Sequence, residues 1–186
     1  MESQLYLRTL GLLSKFSKIY NTKSYIFGGL TLDIWEGKFL REHDDIDVLC
    51  EQMYLHRGMF HDFFSKQGYE TKDLENYDFK AIKKEAKIHI GHLEIRDSQV
   101  EWKHNGDKGS IIFAKDWLDQ KVYHFYDIEL FTVKPEFEYV LKTHPELMNP
   151  DWVLRQKDLD ARERLINLLD DKYGDLDSLY ELVASI

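Results

Sequence analysis

The run from Ser24 to Cys50 constrains this chain more than any other stretch. Tyr25-Ile26-Phe27 is an apolar triplet that ends on Gly28-Gly29, Leu30 to Trp35 reads as a short helix closed near Gly37, and Asp45-Ile46-Asp47-Val48 then alternates acid with apolar residue. In a β-strand, side chains i and i+2 share a face, so Asp45 and Asp47 are expected side by side while Ile46 and Val48 enter the core.

Two carboxylates so placed invite a hard cation. Magnesium takes oxygen ligands and commonly relies on one or two carboxylates, with substrate phosphates completing its shell. Glycine adds a second element: without a Cβ, Gly28 and Gly29 let the backbone approach phosphate oxygens, and the helix that follows can turn its positive N-terminus toward them. A Gly pair after a strand, or an Asp-x-Asp at a strand end, is commonplace alone; the order and separation of the two carry the signal.

That order resembles the nucleotidyltransferase superfamily. The fuller pattern, Gly28-Gly29, Asp33, Gly37-Lys38, Arg41, His43 and Asp45-Ile46-Asp47, is similar to the antibiotic nucleotidyltransferases, in particular the lincosamide enzymes and the aminoglycoside 2″-adenylyltransferases. Arg155-Gln156-Lys157-Asp158-Leu159-Asp160, followed by a periodic apolar segment, is similar to a late helical Lys-Asp motif of the same group. The resemblance implies an α+β fold, a mixed β-sheet of the nucleotidyltransferase (polymerase β-like) type flanked by helices, with a helical C-terminal part. It implies transfer of a nucleoside monophosphate from a nucleoside triphosphate, ATP above all, to a hydroxyl of a small molecule, with Mg2+ as cofactor. An acceptor that is protein or RNA, and a noncatalytic relative, are the alternatives.

At 186 residues the chain forms one compact unit. Residues 1–132 are expected to form the catalytic core and 133–186 a helical extension of the same unit. With 43% hydrophobic and 14% aromatic residues and only 3 prolines, it is not a disordered chain. No apolar run approaches membrane-spanning length and the first residues lack a signal-peptide layout, so a cytoplasmic protein without membrane association is expected. A single cysteine, Cys50, excludes an intramolecular disulfide framework and a Cys-rich zinc module, and is expected in the core. A formal charge of −9 opposes nonspecific nucleic-acid binding and suits a cationic small molecule, although acidity also serves solubility. Monomer and homodimer are both compatible with the sequence.

Apolar residues at helical spacing predict a helix over 3–20, and strands are expected at 24–27 and 45–50. A helix over 56–67 and an extended stretch from Tyr69 would complete a β-α-β unit. Extended runs at 79–84, 86–96 and 110–113 follow, with Asn105-Gly106 and Lys108-Gly109 as turn signals. A strand is expected at 124–130, a helix from Lys134-Pro135, another capped by Asp151 and running to about Leu169, and a short final helix over 175–184.

The resemblance makes Asp45 and Asp47 shared metal ligands, with a third carboxylate arriving from a neighbouring strand as ligand or general base. Here the chain departs from the family pattern, because the corresponding run, Ile88 to Ile95, has His89 in the simplest alignment with the acid and Glu94 further on. His89 can act as a base but is a poor magnesium ligand, and strand parity sets the two on opposite faces. Both stand as candidates. For the nucleotide, Gly28, Gly29, Asp33, His43 and Lys157 are the candidates: Asp33 to brace the phosphate loop, His43 to orient phosphate or a ligand, Lys157 to reach the triphosphate. Asp44 alternates away from the acid pair.

Overall fold

The computed structural model describes residues 2–74, 78–103, 109–169, 172–173 and 175–185. Helix α1 (Glu2–Tyr20) buries Tyr6, Leu10, Leu13 and Phe16, one stripe at three- and four-residue spacing. The chain then enters β1 (Ser24–Phe27), α2 (Gly29–Glu36), β2 (Ile46–Glu51) and α3 (Met53–Lys66). Strands β3 (Glu70–Asp73), β4 (Phe79–Lys83), β5 (Ala86–Arg96), β6 (Gln99–Lys103) and β7 (Ser110–Ala114) follow. After β8 (Tyr123–Phe125) and β9 (Ile128–Thr132) come α4 (Pro135–Thr143), α5 (Gln156–Leu169) and the two-residue β10 (Ala184–Ser185).

The strands form one mixed sheet in the order β10-β7-β6-β5-β2-β1-β9-β8. β2 pairs antiparallel with β1 and parallel with β5, and β1 pairs parallel with β9. Eleven-residue β5 has two partners on its other edge, β4 along its first half and β6 along its second. Strand alternation then builds two cores. Ile26, Ile46, Val48, Cys50, Ile88 and Ile90 pack on α1 and α3, where Phe16, Phe60 and Phe64 are fully buried. Tyr25, Phe27, Leu49 and Leu93 face the other way, against Phe137, Val140 and Leu141 of α4 and Leu165 of α5. Each such side chain contributes about 1.5–3 kcal/mol of burial free energy. Asp47, between Val48 and Ile46, takes the parity of Leu49 and faces the α4 side.

The expected mixed sheet flanked by helices is the observed architecture, and four local expectations are corrected. The β-α-β crossover from β2 closes on β5, not on the strand after Tyr69, because β3 pairs only with β4. The strand expected over 124–130 is a hairpin: Tyr126 and Asp127, with φ of 48° and 66°, turn the chain between β8 and β9. The helix expected from Asp151 begins at Gln156, where the Asp158 carboxylate reaches back to accept from the Arg155 backbone N–H at 3.2 Å and satisfies one of the helix's first donors. The final helix is a short 3-10 turn, Asp177–Leu182, after which β10 pairs with β7. Asn105-Gly106 and Lys108 lie outside the described residues. Among the described residues no helix is long and apolar enough to cross a membrane.

Candidate active site

The antiparallel register of β1 and β2 sets Phe27 opposite Asp47, so the Gly pair leaves β1 beside the acids. Gly28 is held at φ 77°, and a Cβ there would lie 2.7 Å from Asp47 Oδ2; only glycine fits both the backbone and the approach. A side chain on Gly29 would collide with the Arg41 guanidinium. α2 starts at Gly29, so the Gly pair, the helix N-terminus and the acid pair occupy one corner.

Around that corner lies a cleft of about 590 Å³. It brings together Gly28, Gly29, His43, Asp45, Asp47, His89 and Lys157 of the residues expected from the sequence, and adds Glu138 and Lys142 of α4 and the apolar Met148, Trp152 and Leu154. The aromatic residues Trp102, Trp117 and Phe125 are buried elsewhere, and Phe27 and Trp152 are the aromatic residues that line the cleft.

Two expected residues brace the site from behind. His43 Nε2 lies 2.7 Å from Asp33 Oδ2, which also accepts from the Leu40 N–H at 3.0 Å, and both side chains are buried. With Nε2–H donating to the carboxylate, Nδ1 is the ring atom left toward Gly29, 3.6 Å from where a Cβ would sit. Tyr6 Oη donates to the His43 carbonyl, so α1 holds the same loop. At the rim, Lys157 Nζ donates to Asp44 Oδ2 at 2.7 Å, tying α5 to the residue before the acid pair. That bond lowers the Asp44 pKa.

The parallel register of β2 and β5 pairs Asp47 with His89, so His89 occupies the place beside the acids. Its Nδ1 is 3.9 Å from Asp47 Oδ1 and its Nε2 is 3.7 Å from Asp78 Oδ2. Burial lowers the imidazole pKa, but Asp78 and then Asp47 outweigh it and hold it above the ordinary value. Asp47 is itself pushed up to about 6, first by burial and then by the negative charge of Asp45. Glu94 is not brought to the cleft. It lies five residues along β5 from His89, roughly 16 Å at strand rise, on Lys103 Nζ at 2.7 Å and Arg96 Nη2 at 2.8 Å. Those two hydrogen bonds hold its carboxyl down at about 2.

Glu138 was not foreseen from the sequence. Buried on α4, it accepts from the Gly28 N–H at 2.5 Å and lies 3.4 Å from Thr31 Oγ1. Burial pushes its carboxyl up to about 7. One turn later Lys142 donates to Asp158 at 3.2 Å. Burial disfavours the Asp158 carboxylate, but Arg155 and Lys142 outweigh that and hold it at about 2. The sequence signal for this pair was the four-residue spacing of Glu138 and Lys142 just after Pro135, which looks like any exposed helix pair until α4 is docked.

A family model, aminoglycoside-2''-adenylyltransferase, matches residues 10–139, more than half of the chain. The chain belongs to that family. It is therefore an enzyme of the nucleotidyltransferase kind, and the matched span contains the Gly pair, the acid pair, His89 and Glu138. Solved structures agree in fold. The solution structure of the antibiotic-resistance factor ANT(2'')-Ia superposes with TM-score 0.70 at 16% identity, covering 97% of this chain and 90% of that one. ANT(2")-Ia in complex with adenylyl-2"-tobramycin gives 0.69 at 16%, covering 96% and 95%. Lincomycin-bound lincosamide antibiotic adenylyltransferase LnuA gives 0.63 at 17%, covering 89% and 96%. No curated protein sequence matches the chain.

Family membership raises the question of metal. Among the described residues no group of three or more His, Cys, Asp or Glu is arranged to hold an ion. Asp45 and Asp47 nonetheless fit magnesium bound together with phosphates, since two carboxylates are what that ion takes from protein in such sites. The matching observation is the corner itself, where Asp45 and Asp47 line the cleft together with Gly28 and Gly29, and where burial and then the charge of Asp45 push the Asp47 carboxyl up.

Proposed function

We propose that the protein is a magnesium-dependent nucleotidyltransferase that moves AMP from ATP to a hydroxyl of a small-molecule antibiotic, an aminoglycoside or a lincosamide. The observation that carries this reading is the convergence of Gly28-Gly29, Asp45, Asp47 and His89 on one cleft in a chain of this family. Its volume, about 590 Å³, suits a small-molecule acceptor better than a protein or RNA surface. The lincomycin and adenylyl-tobramycin complexes of its structural neighbours support the acceptor class.

Asp45 and Asp47 would hold Mg2+, which supplies charge neutralisation on the phosphates and activation of the acceptor hydroxyl. With the Gly28 N–H taken by Glu138, the Gly29 N–H and the start of α2 receive phosphate oxygens, and Arg41 and Lys157 contribute positive charge from the rim. The acceptor oxygen bonds to the α-phosphorus in line as the bond to the bridging oxygen breaks, and diphosphate leaves. The hydroxyl proton passes to His89, whose basicity Asp78 and Asp47 raise. Asp33 and His43 act behind the phosphate loop as its brace. In this scheme residues 1–132 supply the acids and the Gly pair, while 133–186 form the opposite wall of the same unit.

The test is diphosphate release with ATP or GTP, magnesium, and tobramycin or lincomycin as acceptor, with mass spectrometry of the acceptor. The expected product carries one added AMP. Absence of acceptor-dependent diphosphate release across both antibiotic classes, with the nucleotide bound, overturns the acceptor assignment.

A further inference from the structure

Gly28 precedes α2 as its N-cap and has no side chain with which to cap it. Its φ of 77° and ψ of −158° belong to glycine's own region, where the backbone is free to leave unless something holds it. The holder comes from 110 residues away: the Gly28 N–H donates to Glu138 Oε1, and Thr31 Oγ1, in the first turn of α2, lies 3.4 Å from the same oxygen. β9 runs parallel to β1 and Val133 donates to the Ile26 carbonyl, so α4 starts directly over the exit of β1. Its Glu138 is 1% exposed. A carboxyl group in such a place is costly unless hydrogen-bonded, and Leu or Met would fill the space without that cost. What the carboxylate adds is a fixed direction for one peptide.

We propose that Glu138 is the positioning residue of the phosphate loop, setting from α4 the direction in which the Gly28-Gly29 backbone meets the nucleotide's phosphates. The inference rests on the nucleotide-binding reading of the cleft. A metal-ligand role fits less well, because Oε1 is engaged with Gly28 and the described carboxylates and histidines form no three-membered metal group. The hydrogen bond is available from ionised or neutral Glu138, since either form offers an oxygen to the Gly28 N–H.

Glu138→Gln and Glu138→Ala separate the possibilities, read by amide exchange at Gly28 in the nucleotide-free protein, by magnesium-dependent ATP affinity, and by acceptor KM. Glu138→Gln keeps an accepting oxygen, so Gly28 stays protected and ATP affinity stays within about threefold of wild type. Glu138→Ala speeds Gly28 exchange and weakens ATP binding about tenfold, with acceptor KM unchanged. Unchanged Gly28 exchange and ATP affinity in Glu138→Ala overturns the proposal. So does a common loss of turnover in both variants with ATP affinity intact, which places the carboxylate in the chemistry itself. Should Glu138→Ala fail to fold, Glu138→Gln decides alone: retained ATP affinity and turnover support the positioning role, and loss of either overturns it. Wild-type protein that binds no magnesium ATP refutes the nucleotide reading instead, while Gly28 exchange still decides the tether.

Discussion

The two ends of β5 hold charge on opposite terms. At Glu94, Lys103 and Arg96 donate directly to the carboxylate, and its pKa falls to about 2. Five residues earlier, His89 stands among Asp47 and Asp78 at 3.9 and 3.7 Å, beside a cleft that also holds Asp45 and Glu138, and Asp47 rises to about 6. The first cluster is complete in the protein alone. In the second, no described Lys or Arg pairs directly with Asp45, Asp47 or Glu138, and under the proposed function a cation and phosphates arrive there together. A sheet can carry both on one strand because neighbouring strands differ: β6 supplies Lys103 to one half of β5, and β2 supplies Asp47 to the other.

The largest effect is expected at Asp47. Asp47→Asn should lower turnover by roughly a thousandfold or more through loss of a metal ligand, while thermal unfolding stays at or above the wild-type midpoint. The sign follows from linkage: a carboxyl whose folded pKa is raised disfavours the fold once pH exceeds its unfolded value, so removing the charge relieves that cost at neutral pH. A turnover assay beside a melting curve checks both, and a variant that melts early but keeps its activity breaks the contrast.

His89 is expected to come next. His89→Ala should cost about 100-fold in turnover, the scale of a lost general base, whereas His89→Asp, which supplies the carboxylate that the sequence resemblance implies there, should retain more activity than the alanine variant. Equal rates for all three would move the proton acceptor elsewhere. Gly28→Ala forces a Cβ against Asp47 Oδ2 at 2.7 Å and an unfavourable φ, so ATP affinity should fall along with about 1–2 kcal/mol of stability; calorimetry and denaturation measure the two losses.

Glu94 gives the smallest effect and the opposite one. Glu94→Gln should leave turnover within about twofold and cost under ~1 kcal/mol, because its partners are partly exposed and screened. A depressed folded pKa means that stability is present above the unfolded carboxylate value and is lost as pH falls through about 2. The difference between wild type and Glu94→Gln should therefore be constant near neutrality and shrink on acidification below about pH 4. A large loss of turnover in this variant would return Glu94 to the chemistry.

What could be read in the sequence was local. Alternation at Asp45-Ile46-Asp47 and the Gly pair depend on neighbours within a few residues, and both line one cleft, with Asp45 just ahead of β2, which starts at Ile46. The choice between His89 and Glu94 depended on the register of β5 against β2, a long-range pairing that parity narrows to two faces without selecting one. Glu138 was out of reach for a stronger reason: its partner at Gly28 is defined only once β9 has paired with β1 and α4 has closed over the turn. Tyr126-Asp127 hid a hairpin because neither residue is the glycine that such turns favour, and β10 was hidden by its length.

Under the proposed function the acid pair, and not the Glu94 cluster, is completed by a metal nucleotide. Calorimetric titration of ATP with and without magnesium into wild type, Asp45→Asn, Asp47→Asn and Glu94→Gln tests it most directly. Magnesium-dependent binding in wild type and Glu94→Gln, lost in both aspartate variants, is the predicted result; binding that survives Asp47→Asn, or no binding by wild type, contradicts it.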